Sequence, residues 1–118
     1  MQRILRATLH TLNGLRAATA SEAAFRQELV MLMLAIPLAF VVATENWKRL
    51  ALIAVVVLIL VVELLNTAIE KLADRVTSDR DPVIGRVKDM GSAAVGLSLL
   101  VAGLFWLLAL WERLAAFW

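Results

Sequence analysis

Glu63, Asn66, Glu70 and Asp74 stand at i, i+3, i+7 and i+11 in the stretch VELLNTAIEKLAD, residues 62–74. On a helix that spacing draws one polar stripe down a single face. The stripe starts where an unbroken apolar run, LALIAVVVLILVV at 50–62, ends. Thirteen apolar residues precede Glu63, which at about 1.5 Å each sets its carboxylate roughly 20 Å along a helix. If the run crosses a membrane, an ionised acid at that depth costs up to a few kcal/mol. Two roles explain it: a general base for a reaction near the interface, or a structural carboxylate hydrogen-bonded between helices.

Glu70 falls two turns further on, at headgroup level, and Glu22 is expected at the same depth. Two carboxylates at one rim suit Mg²⁺, which takes one or two acids and completes its shell with substrate phosphates. The plainer alternatives are that Glu22 caps a helix and that Glu70 pairs with Lys71 or Arg75. Lys88 and Asp89, in GRVKDMGS at 85–92, are expected just before a helix. There a lysine and a helix N-terminus suit phosphate, or Lys88 and Arg86 merely anchor the helix to anionic headgroups. The chain contains neither GxxxxGK[ST] nor GxGxxG, so none of the standard nucleotide-binding loops is present. His10, the lone histidine, reads more simply as a polar-face residue than as a ligand.

The elements that must position these groups follow from composition. The chain has 118 residues, 62% of them hydrophobic, against roughly 45–50% in soluble domains. Mean hydropathy is +0.83. A soluble domain this small could not hide so much apolar surface. There is no cysteine, which excludes disulfide, thiolate-metal and thiol redox chemistry. The first twenty residues lack the apolar core of a secretory signal.

We therefore expect an all-α membrane protein forming a single unit over 1–118. Residues 1–20 carry Ile4, Leu5, Leu9, Leu12 and Leu15 on one side and Arg3, Arg6, His10 and Asn13 on the other, the pattern of an amphipathic helix lying in the interface. Thr19 and Glu22 read as a capping box opening the first span. Three transmembrane helices are expected at about 22–46, 49–73 and 91–115. The first contains Pro37, and Trp47 stands at the interfacial break before the second. A polar loop spans 74–90, broken by Pro82 and Gly85. Trp106, Trp111 and Trp118 suggest an aromatic belt at the far end of the third span. Ala94, Ser98 and Ala102 repeat every fourth position, a face for close helix contact.

Nine of the twelve Lys and Arg lie in the N-terminal segment or in 71–88, and three (Lys48, Arg49, Arg113) lie at the other end. The positive-inside rule puts the N-terminus and the 74–90 loop in the cytoplasm. Glu22, Glu28, Glu63, Glu70, Asp74, Asp79, Asp81 and Asp89 converge on that side. The residues thus describe a three-span inner-membrane protein with an acidic, lysine-bearing site at its cytoplasmic rim. They suggest chemistry between a water-soluble anion and a lipid.

EAAFRQE at 22–28, VELLNTAIE at 62–70 and GRVKDMGSAAV at 85–95, in that order and separation, resemble the prokaryotic diacylglycerol kinases. The resemblance covers nearly the whole chain and matches poorly in the first dozen residues, the outer loop and 76–84. It implies a homotrimer that moves the γ-phosphate of MgATP to the hydroxyl of diacylglycerol, giving phosphatidic acid. By the same resemblance Glu63 is the catalytic base, and Glu22 and Glu70 are the metal ligands. Arg3, His10, Asp79, Arg80, Asp81, Lys88 and Asp89 join those two acids around the nucleotide. Arg3, Gln27, Glu28, Ser92 and Trp106 lie near the lipid with Glu63, while Asn66 and Asp74 support the site. Expected partners are diacylglycerol, ATP and further copies of the chain, with no nucleic-acid polymer. Rival readings are an undecaprenol kinase on the same scaffold, a proton-coupled transporter, and a non-catalytic membrane subunit.

Overall fold

A computed structural model describes residues 1–117 as four helices, α1 (Gln2–Ser21), α2 (Ala23–Val42), α3 (Asn46–Val76) and α4 (Pro82–Ala115), with no strand among them. Trp118, expected in the aromatic belt, lies outside the described residues. Helices α2, α3 and α4 are each long and apolar enough to cross a membrane.

Helix α3 is the middle element, packed against both α2 and α4. Its buried residues Leu52, Val55, Val56, Ile59 and Leu60 recur at helical spacing and form the inner stripe. The helix runs 31 residues and contains neither glycine nor proline. At one end Leu52 packs with Ala39, Val42 and Ala43. Mid-helix, Val55 and Ile59 meet Ala102. Toward the other end Leu60 meets Phe25 and Ala18, joining α3, α2 and α1.

The residues α4 buries are all small: Gly91, Ser98 and Ala102. Small side chains let two helix backbones approach closely. The expected face held Ala94, but that residue is exposed and Gly91 takes its place in the register. Trp106 departs from the expected belt. It is half-buried against Leu52 and Ala102, and its indole N–H donates to the Leu52 carbonyl at 3.1 Å. The ring is drawn inward to a backbone acceptor and packs within the bundle.

Three junctions differ from expectation. Thr19 does not open α2. It lies inside α1, where its hydroxyl donates to the Leu15 carbonyl at 2.7 Å, the back-bonding that competes with capping. Instead Arg26 reaches back from α2 and donates to the carbonyls of Thr19 (3.0 Å) and Ala20 (3.2 Å), satisfying acceptors that a helix end leaves open. Helix α2 passes through Pro37 and ends at Val42, short of the expected 46, and α3 begins at Asn46. The polar loop expected over 74–90 shrinks to 77–81, because Pro82 opens α4 and Gly85 lies within it. Asp81 caps that helix, its Oδ1 accepting from the amides of Val83 (2.8 Å) and Ile84 (3.3 Å). Aspartate followed by proline at the first helical position is a helix start, since proline lacks the N–H that would go unpaired there.

Candidate functional site

The stripe α3 turns toward its neighbours changes character at Glu63. Above it the buried residues are apolar; from it on they are Glu63, Asn66 and Ala73, with Glu70 half-buried between. Glu63 is 9% exposed. Glu28, Glu70 and Glu22 all lie within electrostatic range of its carboxylate. Four acids thus gather where α2 begins and α3 turns polar.

Each acid is held differently. Asn66 donates from Nδ2 to Glu70 Oε1 at 3.3 Å. Glu22, at the α1–α2 corner, pairs with Lys71 Nζ at 3.3 Å, and the same ammonium donates to Ser21 Oγ at 3.3 Å. Lys71 therefore answers Glu22, not its neighbour Glu70. Glu22 is the N-cap residue of α2 but makes no side-chain cap hydrogen bond, so the simple capping role does not account for it. Glu28 is half-buried, and its Oε2 has no protein partner.

A second group lies beside the α3–α4 turn. Asp74, Thr77, Asp79, Arg80, Asp81 and Lys88 line an open groove of about 480 Å³. Lys88 Nζ crosses it to Asp74 Oδ1 at 2.5 Å. Lys88 and Asp89 sit well inside α4, not at its N-terminus, whose first free amides Asp81 already occupies. The expected help from helix-end amides at Lys88 is therefore absent.

The remaining expected residues are dispersed in the single chain. Arg3 and His10 are exposed on α1, and Asp89 and Ser92 are exposed on α4. Gln27 and Trp106 mark the two ends of a groove of about 560 Å³ walled by Val30, Leu34, Leu38, Ile59 and Leu99. Trp106 is at the level of Leu52, about 16 Å along α3 from Glu63, so it does not touch the acid cluster. Two structural contributors escaped sequence reasoning, Lys71 as partner of Glu22 and Arg26 as the clasp on α1. Their signal, a basic residue within reach of a helix end, is too common to single out without the fold.

The sequence matches the family model described as prokaryotic diacylglycerol kinase over residues 9–110. The chain belongs to that family. It is 45% identical to the diacylglycerol kinase of Escherichia coli (strain K12) over 94% of this chain and 91% of that protein. It is likewise 45% identical to the diacylglycerol kinase of Pseudomonas aeruginosa, over 90% of this chain and 86% of the other. Identity to the diacylglycerol kinase of Helicobacter pylori (strain 26695) is 35%, over 95% and 90%. A prokaryotic diacylglycerol kinase needs a phosphoryl donor, and nucleotide donors work with a divalent cation. No three acids or histidines gather tightly enough among the described residues to cage an ion unaided. Glu22 and Glu70 offer hard oxygen donors at the rim, a set that fits a cation whose shell is completed by phosphate and water.

Proposed function

We propose that the chain phosphorylates diacylglycerol with MgATP in the bacterial inner membrane, as a multi-pass homotrimer with its N-terminus and acid cluster facing the cytoplasm. The observation that carries this reading is the switch on α3 from apolar stripe to acid stripe at Glu63, in a chain of this family. Residues 1–118 then act as one catalytic unit. Helix α1, with Ile4, Leu5, Leu9, Leu12 and Leu15 exposed on one side, rests in the interface.

The two substrates live in different phases, and the acids are spaced to match. Diacylglycerol keeps its hydroxyl at the interface and its tails in the hydrocarbon, where the apolar groove from Gln27 to Trp106 suits an acyl chain. Glu63, just inside the interface, accepts the hydroxyl proton as the oxygen attacks the γ-phosphorus. The new O–P bond forms, the bond from the γ-phosphorus to the β–γ bridging oxygen breaks, and ADP leaves with that oxygen. Glu28 and Gln27, one to two turns into α2, orient the lipid, with Ser92 and Arg3 supplied around the same pocket in the trimer. Glu22 and Glu70 would hold Mg²⁺, which would supply neutralisation of phosphate charge. Asn66 steadies Glu70. Lys88 exchanges Asp74 for a phosphate oxygen, and the groove around Asp79, Arg80 and Asp81 accommodates the adenosine end, with His10 and Asp89 beside it. Phosphoryl transfer asks the protein mainly for positioning and charge neutralisation, and these residues offer both.

The test is an assay of the purified protein in mixed micelles with MgATP labelled at the γ-position. Diacylglycerol, undecaprenol or no lipid is offered. Labelled phosphatidic acid from diacylglycerol alone is expected. Label only on undecaprenol would reassign the lipid, and no product from either would overturn the kinase reading.

A further inference from the structure

Asn66 is buried, and its two polar atoms face different neighbours. Nδ2 donates to Glu70 Oε1 at 3.3 Å. Oδ1 has no partner and turns to α4, where a Cβ added at Gly91 would overlap it. The chemistry of the carboxamide sets this orientation. A carboxylate has only acceptors, so Nδ2 must face Glu70 and Oδ1 must point the other way. The oxygen then lands against Gly91 of α4.

The three nearest atoms that a Cβ at Gly91 would meet all belong to the Asn66 side chain. The Gly91 backbone is ordinary helix with negative φ, and glycine inside a helix is disfavoured relative to alanine. Gly85, Gly96 and Gly103 on the same helix all face open space. We infer that Gly91 is a positioning residue for the phosphoryl-transfer site: by withholding a methyl group it lets Asn66 turn its amide onto Glu70. A methyl at 91 rotates the carboxamide and takes Nδ2 off the carboxylate. The inference rests on Glu70 serving as a metal ligand.

The probe is Mn²⁺ with a non-hydrolysable ATP analogue, its free fraction followed by electron paramagnetic resonance on the purified full-length protein. Gly91→Ala and Asn66→Ala should each weaken Mn²⁺ retention by about tenfold or more, the usual effect of losing a partner behind a metal ligand. The double variant should match Asn66→Ala alone, because the methyl then fills the space the carboxamide left. Wild-type affinity in Gly91→Ala, or losses that multiply in the double variant, would overturn the inference. If Gly91→Ala fails to assemble, the double variant should assemble again, and its failure to do so counts equally against the proposal. A wild-type chain that phosphorylates diacylglycerol yet holds no Mn²⁺ would remove this inference and leave the kinase reading standing.

Discussion

Replacing Glu63 with glutamine separates chemistry from architecture. The two side chains have the same shape, and the site is 9% exposed, so packing is unchanged. What is lost is a titratable carboxyl within electrostatic range of Glu22, Glu28 and Glu70. Glutamine is a neutral isostere that adds no charge to a poorly solvated place, so the variant should be at least as stable as the parent. The rate should behave oppositely. A positioned general base contributes about 10²- to 10⁴-fold, so the barrier should rise by roughly 2.7 kcal/mol or more. The assay is initial-rate formation of phosphatidic acid in mixed micelles at saturating diacylglycerol and MgATP, with oligomer size and thermal midpoint measured on the same preparation. We expect a fall in kcat of at least about a hundredfold, with KM for MgATP, oligomer size and midpoint preserved. An intact Glu63→Gln assembly turning over near the parent rate would refute the base assignment. A lost rate accompanied by a lost oligomer would instead mark the carboxylate as structural.

Trp106→Phe keeps the ring but removes the indole donor to Leu52, and should lower stability by about 1 kcal/mol, read from the unfolding midpoint in micelles; an unchanged midpoint would contradict the contact. Asp81→Ala should cost about 1 kcal/mol through loss of the α4 cap, whereas Asp81→Asn should retain it. Equal destabilisation by the two would disprove capping as the reason for that residue. Chelation with EDTA should stop phosphoryl transfer, and Mg²⁺ added beyond the chelator should restore it; full activity in the chelated state would rule out the metal role of Glu22 and Glu70.

The acid stripe was readable before any coordinates because it rests on helical periodicity alone. Glu63, Asn66 and Glu70 do share the face of α3 that looks into the bundle. Thr19 and Glu22 were misread because a threonine near a helix boundary can either cap the next helix or bond back into its own, and only the fold decides. Pro82 and Gly85 looked like loop breakers, although Asp81 before Pro82 was a legible helix start. The stretch 74–90 is mostly helix for that reason, and Lys88 moved with it. What no local pattern could supply is the register between helices. The indole of Trp106 finds Leu52, and Asn66 finds Gly91, only after α3 and α4 slide into one alignment along their small-residue seam.

Helix α3 has no glycine or proline anywhere along its length, unlike α2 with Pro37 and α4 with its four glycines. Such a rod works as a ruler. The axial spacing of Glu63 and Glu70, about 10 Å at helical rise, is set by the hydrogen-bonded helix and hardly varies while that helix stays intact. One inserted residue between them would rotate the lower acid by about 100° and turn it off the shared face. If the two acids serve the reaction proposed above, the backbone itself sets the gap between an oil-borne reactant and a water-borne one, across a phase boundary that offers no rigid walls.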